Sequence, residues 1–243
     1  MSILHGMRQA ARKIGLEVHR YNPAQSLDAR SFAMLSHHGI RTVIDVGAND
    51  GGYAGYLRRG GFDGRIVSFE PLPDVHNVLA SRARHDPAWI VAPQCALGST
   101  TGQVEIHVAG NSKSSSLLPM LKTHVDAAPY SATVGKVSVP LMRLDDVELD
   151  ALRIGDSMFL KIDTQGYELP VLEGAGATLS RCTGVQLEMS IEPLYEGQVL
   201  YRGLIGWLEA RGFHLWNLLP GFSDPSTGRL LQMDGVFFRA GLV

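Results

Sequence analysis

The chain has 243 residues, of which 45% are hydrophobic and 19% charged, and its formal net charge is −2. These values are typical of a globular α/β protein and argue against a nucleic-acid partner. They also exclude a membrane-spanning class, because no run reaches the roughly 18 consecutive apolar residues of a span. The amino terminus lacks a signal-peptide pattern, and the two cysteines lack metal-ligand spacing. We therefore expect a cytoplasmic protein with free, buried thiols.

Residues 1–40 are predicted to form a helical segment that precedes the main domain, residues 41–243. Its apolar positions share one helical face, and they are Ile3, Leu4, Met7, Ala11 and Ile14. We expect this face to pack on its own domain or on a subunit partner. Peripheral contact of residues 1–20 with an anionic membrane is the alternative. The pattern predicts no oligomeric state.

Residues 43–52 predict a strand, a glycine-rich turn and the start of a helix, the arrangement with which an α/β sheet holds a nucleotide-like cofactor. A dinucleotide-binding turn needs glycine at positions that are Gly47, Asn49 and Gly52 here. Asn49 would place a side chain where a pyrophosphate must lie, and Asp45 before the turn suits a cationic partner. S-adenosylmethionine (SAM) carries an ammonium and a sulfonium but no phosphate. The turn therefore favours SAM over NAD.

Strand-like and helical runs alternate along the chain, which predicts a Rossmann-like, mostly parallel seven-stranded sheet with helices on both faces. The predicted strands are 42–46, 66–70, 90–96, 158–163, 184–189, 213–219 and 233–239. The predicted helices lie near 28–38, 52–59, 74–84, 166–180 and 200–211. The loop 220–228 is too short for a crossover helix, so the last two strands should form an antiparallel hairpin.

The alternation of strand and helix breaks between residues 100 and 143. Gln103–Val108 and Lys136–Arg143 read as two further strands, separated by a polar stretch. A long insertion of this kind in a compact domain is functional or disordered. We expect an inserted hairpin with a lid over the active site, and a plain surface excursion is the alternative.

The second strand ends in Glu70-Pro71. Glu70 stands 23 residues after Gly47, close to the roughly 20 expected for an acid that holds a ribose diol. A carboxylate accepts several hydrogen bonds and therefore suits both hydroxyls. Ala96, at the predicted end of the third strand, leaves space for an adenine ring, with ordinary core packing as the alternative.

Two acids follow the next predicted strands. Asp163 and Glu188 stand at the carboxyl ends of strands four and five and should meet at one rim of the sheet. They would serve as a general base with its support, or as ligands of a divalent cation. No third protein ligand is evident, so a metal is not favoured. His124, in the predicted lid, is a third candidate base, and Glu168 is expected to cap its helix.

Together these segments resemble the FkbM family of SAM-dependent methyltransferases. The motifs are Ile44–Gly51, Phe69-Glu70-Pro71, Ala96-Leu97-Gly98, Ser115-Ser116-Leu117 and Leu160–Glu168. The resemblance implies a class I methyltransferase fold and O-methylation of a hydroxyl on a sugar (glycolipid or polysaccharide) or on a polyketide-like natural product. Many relatives carry glutamate where this chain has Gln165, so a catalytic base at that position is not expected.

The residues expected to bind the cofactor are Asp45, Gly47, Asn49, Gly51, Glu70, Pro71, Ala96, Ser115 and Asp163. The catalytic candidates are Asp163, Glu188 and His124. The segment 190–243 carries little of the resemblance and is expected to help define the acceptor site. An NAD-dependent oxidoreductase and a non-catalytic SAM-binding protein are the alternative functions.

Overall fold

A computed structural model describes residues 3–148 and 157–241, which fall into two compact units, 1–37 and 38–243. The first unit contains α1 (Ile3–Lys13) and α2 (Leu27–His37). Because α1 ends at Lys13, Ile14 lies beyond the helix to whose apolar face it was assigned. Membrane contact of residues 1–20 stays a prediction. In the ranges described, no helix is both long and apolar enough to cross a membrane.

The second unit is built on a seven-stranded sheet with the order β3-β2-β1-β7-β8-β10-β9. The strands of the unit are β1 (Thr42–Val46), β2 (Arg65–Phe69), β3 (Trp89–Val91), β4 (Ala96–Leu97), β5 (Gly102–Ala109), β6 (Thr133–Met142), β7 (Met158–Ile162), β8 (Cys182–Ser190), β9 (Phe213–Pro220) and β10 (Gln232–Arg239). Its helices are α3 (Gly52–Arg59), α4 (Pro73–Ala83), α5 (Lys122–Ala127), α6 (Glu168–Glu173), α7 (Gly176–Arg181) and α8 (Tyr201–Glu209). Single 3₁₀ turns cover Pro129–Ser131 and Leu144–Asp146.

The sheet is parallel except for β10, which pairs antiparallel with both β8 and β9. The predicted sheet with a terminal antiparallel hairpin is therefore confirmed. The predicted inserted hairpin is β5 and β6, which pair antiparallel and form a second, three-stranded sheet with β4.

The central strands carry polar residues at matching positions. All five residues of β1 and of β7 are buried, as expected for strands covered on both faces. Within these apolar strands the register places Asp45 beside Lys161, and Lys161 beside Gln186 of β8. A polar row therefore crosses three neighbouring strands of an otherwise hydrophobic sheet.

The predicted strand 90–96 is wrong, because β3 ends at Val91 and Ala96 belongs to the second sheet. Ala96 pairs with Leu141 of β6 rather than ending a strand of the main sheet. After the N–H of Ala92 donates to the carbonyl oxygen of Ser68 in β2 at 2.9 Å, the intervening chain leaves the main sheet and makes side-chain contacts. One such contact is the amide of Gln94, which donates to the carbonyl oxygen of Pro71 at 2.7 Å.

The predicted helix 166–180 is two helices, α6 and α7. A Cβ at Gly174, between them, would lie 1.8 Å from the carbonyl oxygen of Gly98, so the chain is pressed against another backbone there. The carboxylate of Asp145 then accepts hydrogen bonds from the N–H groups of Ala177 and Thr178, both at 2.8 Å. Asp145, which lies outside the helix, therefore caps the amino terminus of α7, and α7 starts as a separate helix.

Candidate active site

A cavity of about 520 Å³ opens at the carboxyl ends of β1, β2 and β7. This edge of an open α/β sheet is where ligands bind, and the volume is that of a small-molecule site. The turn after β1, the end of β2, the inserted segment and polar residues of β7, β8 and β10 contribute to its lining.

The glycine turn is shaped by two close contacts. Gly47 lines the cavity with φ +76°, and a Cβ there would lie 1.9 Å from the carbonyl oxygen of Asp163. Gly51 has φ +84°, and its Cβ would lie 2.6 Å from the ring of Trp89. Only glycine satisfies both the conformation and the space. Gly47 therefore lets β1 approach β7 closely, while Gly51 packs behind the turn.

Glu70 and Asn49 fix the cavity side of this turn. Asn49 has φ +47°, and its backbone N–H donates to Glu70 Oε2 at 2.8 Å. The N–H of Leu72 donates to Glu70 Oε1 at 2.9 Å. Burial raises the pKa of Glu70 to about 7, against the effect of these two hydrogen bonds. Each carboxylate oxygen keeps a lone pair toward the cavity, so the group suits the ribose diol of SAM. Pro71 lines the cavity beside it.

Asp45 lies behind the cavity lining, with no exposed surface. Its cationic neighbour is Lys161, whose Nζ lies 3.3 Å from Asp45 Oδ1. Burial raises the pKa of Asp45, and the charge of Lys161 opposes that rise. The cation expected beside Asp45 is thus supplied by the protein itself. Direct contact of Asp45 with the cofactor stays a prediction.

Lys161 faces the cavity and joins Asp45 to Asp163. Its Nζ donates to Asp163 Oδ2 at 3.1 Å and lies 5.2 Å from the centre of the Tyr53 ring. Burial opposes the charge of Lys161, but the carboxylates of Asp163 and Asp45 outweigh burial and raise its pKa. Lys161 is therefore a fixed cation that is hydrogen-bonded to Asp163.

Gln165 brings the two rim acids together. Its Nε2 donates to Asp163 Oδ1 at 2.9 Å and to Glu188 Oε2 at 2.6 Å. Its Oε1 accepts a hydrogen bond from the hydroxyl of Tyr195 at 2.8 Å. Burial, and then the charge of Asp163, raise the pKa of Glu188 well above its usual range. Gln165 is thus a neutral donor to both acids, and Asp163 in addition accepts a hydrogen bond from the charged Lys161.

Glu168 supports the turn that carries Gln165. Its Oε1 accepts hydrogen bonds from the N–H groups of Thr164 (3.1 Å) and Gly166 (2.9 Å). Burial raises the pKa of Glu168 to about 7. Glu168 therefore has the expected capping role, although the groups it caps lie in the turn before α6.

The inserted segment contributes residues 111–115 to the cavity lining. Asn49 Nδ2 donates to Ser112 Oγ at 3.2 Å, and the Tyr195 hydroxyl, which shares its one proton between two acceptors, lies 3.0 Å from the carbonyl oxygen of Ser114. Ser115 lines the cavity while its Oγ accepts the N–H of Ala109. Opening and closing of this segment as a lid stays a prediction.

His124 lies on a different, aromatic part of the lining. The centre of its ring is 5.3 Å from that of Tyr195 and 5.2 Å from that of Phe222. Its Nδ1 makes no hydrogen bond within residues 3–148 and 157–241. Burial lowers its pKa to about 4, so the ring is neutral and a weak base at neutral pH.

Several cavity residues were missed by sequence reasoning, namely Tyr53, Lys161, Gln186, Gln232 and Asp234. For the residues of β8 and β10 the signal was a polar side chain at alternate positions of an apolar strand, as in Gln186-Leu187-Glu188 and Gln232-Met233-Asp234. Within the described parts of the chain, no three or more His, Cys, Asp or Glu side chains are placed to hold a metal ion.

A family model for the methyltransferase FkbM domain matches residues 45–215. The chain belongs to the FkbM methyltransferase family. The match begins at Asp45 and includes Glu70, Asp163 and Glu188, so it covers the cofactor turn and the rim acids. It confirms the predicted SAM-dependent O-methyltransferase class, the methyltransferase fold and SAM as cofactor. The oxidoreductase alternative receives no support.

Two methyltransferases similar in sequence agree with this assignment. The chain is 26% identical over 217 residues to the 2-O-methyltransferase NoeI of Sinorhizobium fredii, covering 85% of this chain and 86% of that protein. It is 30% identical over 156 residues to the methyltransferase sdnD of Sordaria araneosa, covering 54% and 59%. A solved structure of Aeropyrum pernix fibrillarin with bound SAM is 13% identical, with a TM-score of 0.45 over 82% of this chain and 66% of that one.

Proposed function

We propose that this FkbM-family enzyme transfers the methyl group of SAM to a hydroxyl of a sugar or polyketide-like small molecule. One observation carries the proposal: Glu70, suited to a ribose diol, and the linked acids Asp163 and Glu188 line the same cavity. The name of NoeI, a 2-O-methyltransferase, supports oxygen as the acceptor atom.

The turn after β1 and Glu70 would hold the cofactor. Asn49 and Leu72 orient the Glu70 carboxylate through their backbone N–H groups, so it is positioned before any ligand arrives. When bound, SAM would supply a methyl group on a positively charged sulfur. The acceptor oxygen would form a bond to the methyl carbon as the bond from carbon to sulfur breaks in line, and neutral S-adenosylhomocysteine would leave. The cavity wall must then position the acceptor hydroxyl and receive its proton.

Asp163 is the proton acceptor that the charges favour. An alkyl hydroxyl does not ionise at neutral pH, so its proton must leave as the new bond to oxygen forms. Lys161 and Gln165 both donate hydrogen bonds to Asp163 and fix the position of its carboxylate at the cavity wall. Glu188 has a raised pKa and supports Asp163 through Gln165. His124, whose pKa is lowered to about 4, is the weaker candidate base.

The first experiment is calorimetric titration with S-adenosylhomocysteine, with NAD as the control ligand. We expect one-to-one binding of S-adenosylhomocysteine that is lost in Glu70→Ala, and no binding of NAD. Labelled SAM with a panel of sugar and polyketide hydroxyls then tests methyl transfer. Asp163→Asn should lower the maximal rate more than Glu188→Gln does. Absence of S-adenosylhomocysteine binding would overturn the proposed function.

A further inference from the structure

Four polar residues of β8 and β10 form a patch on the wall of the cavity. They are Gln186, Glu188, Gln232 and Asp234, called here the acid–amide patch, and all four line the cavity. Within each strand the two residues are separated by one position, so their side chains point to the same face. Asp234 lies directly opposite Glu188 in the antiparallel pair. The proposed mechanism of proton transfer uses Glu188 alone of the four.

Each carboxylate of the patch accepts a hydrogen bond from one amide of the patch. Gln186 Nε2 donates to Asp234 Oδ2 at 3.1 Å, and Gln232 Nε2 donates to Glu188 Oε2 at 2.9 Å. Gln165 donates to the same Glu188 oxygen. Among the described residues no hydrogen bond reaches the other two oxygens, Asp234 Oδ1 and Glu188 Oε1. Two oriented acceptors on adjacent strands therefore remain for a ligand.

The charge of the patch favours a neutral ligand. Burial raises the pKa of Asp234 to about 6 and that of Glu188 well above its usual range. Lys161, one strand away, is a fixed positive charge that acts on both acids. A cation would have to bind against Lys161, whereas a hydroxyl donates to a carboxylate or accepts from a protonated carboxyl.

We propose that the acid–amide patch binds two adjacent hydroxyl groups of the acceptor, which makes the acceptor a carbohydrate-like polyol. This inference rests on the proposed function and narrows its acceptor class. Asp234 and Glu188 lie directly opposite each other on paired strands, and each keeps one oxygen that accepts no hydrogen bond from the described residues, so the patch offers neighbouring acceptors for two neighbouring hydroxyls. A largely hydrocarbon acceptor would leave these buried polar groups unpaired, which is costly.

The test compares ligands that share a methoxy-substituted six-membered ring and differ in their hydroxyl and hydroxymethyl groups. The protein is saturated with S-adenosylhomocysteine, and binding is measured by saturation-transfer NMR for a panel of methyl hexopyranosides. The matched ligand is 2-methoxytetrahydropyran, which has the same ring without ring hydroxyls. We expect at least one hexopyranoside to bind about tenfold more tightly than this ring. Equal binding, or tighter binding of Mg²⁺ or of cyclohexylamine, would overturn the inference.

A variant locates that binding on the patch. In Asp234→Asn the new amide nitrogen presents a donor where the carboxylate presented an acceptor, so hexopyranoside affinity should fall about tenfold. Glu209→Gln, on the exposed face of α8, is the control and should leave the affinity unchanged. Unchanged affinity in Asp234→Asn would also overturn the inference. If Asp234→Asn does not fold, Gln186→Leu takes its place. It removes the amide that holds the Asp234 carboxylate, so hexopyranoside affinity should fall in this variant too, and the wild-type ligand comparison stands independently of either variant.

Failure of the inference is distinguishable from failure of the proposed function. A protein that binds S-adenosylhomocysteine but does not prefer hydroxylated rings keeps its methyltransferase function and loses the polyol assignment. A protein that does not bind S-adenosylhomocysteine loses the proposed function itself.

Discussion

Lys161 Nζ lies 3.3 Å from Oδ1 of Asp45, a carboxylate with no exposed surface. Removing the cation leaves a buried acid without its ion-pair partner, which costs much more than the intact pair contributes. We expect Lys161→Met to lower the free energy of unfolding by about 3–5 kcal/mol, measured by urea denaturation.

The double variant Asp45→Asn/Lys161→Met is the matched control for that experiment. It removes both charges, so it should be more stable than Lys161→Met alone, with a coupling of about 1–3 kcal/mol. Strictly additive losses would show that the two residues do not stabilise each other.

Gly47→Ala should distort the cofactor turn. The added methyl would lie 1.9 Å from the carbonyl oxygen of Asp163, and the backbone φ of +76° is unfavourable for alanine. We expect a loss of about 2–4 kcal/mol in the free energy of unfolding and weaker binding of S-adenosylhomocysteine by calorimetry. Gly135→Ala in β6 is the control, since a Cβ there meets no atom within 4 Å and φ is not positive. A similar cost at both glycines would contradict the prediction.

Gln165→Glu should convert a neutral bridge into a third acid. The amide donates to both Asp163 and Glu188, and an ionised carboxylate cannot donate to either. We expect the free energy of unfolding to fall by about 1–3 kcal/mol at pH 8 and by less at pH 5.5, where protonation restores a donor. Gln103→Glu, on the exposed edge of β5, should show no such pH dependence. Thermal melts at both pH values measure the difference.

Glu168 should make the protein more stable at acidic pH than at neutral pH. Its pKa is raised from 4.5 to about 7 by burial, so the folded state binds more protons than the unfolded state in this range. Its stabilising contribution is full below about pH 4.5 and is lost as the pH rises through 7. Glu168→Gln should therefore flatten the fall in unfolding free energy across this range, by on the order of 2 kcal/mol. Glu173→Gln, exposed on the same helix, should keep the wild-type slope. Parallel slopes for wild type and Glu168→Gln in urea denaturation would refute this account.

The parts of the fold that local patterns determine were predictable from sequence. The cofactor turn is one example, because Gly47 and the apolar residues before it are contiguous. The break between α6 and α7 was not predictable, since it depends on the approach of Gly174 to the backbone of Gly98. The end of β3 had a sequence signal in Pro93, which argues against one continuous strand over 90–96, while the contact of Gln94 with Pro71 that holds the chain there depends on the fold.

The candidate site shows the same division. Convergence of Asp163 and Glu188 followed from the rule that parallel strands end at one edge, and Gln165 joins them as a bridge that local sequence did not reveal. The partnership of Gln186 with Asp234 depends on the register of an antiparallel pair distant in sequence. The role of Lys161 could not be predicted from sequence, because it depends on the carboxylate of Asp45 on the neighbouring strand and on that of Asp163.

The late position of β10 in the chain has a consequence for engineering. The turn after β1 and Glu70, which are proposed to hold SAM, lie in the first third of the chain, whereas Gln232 and Asp234 lie on the last strand, after the family match has ended. Exchanging residues 221–239 between relatives would therefore retarget the enzyme to new acceptors while its methyl-donor half stays intact. Under the proposal above, the part of the acceptor site that β10 supplies is encoded apart from the turn and the Glu70 carboxylate that would hold the methyl donor.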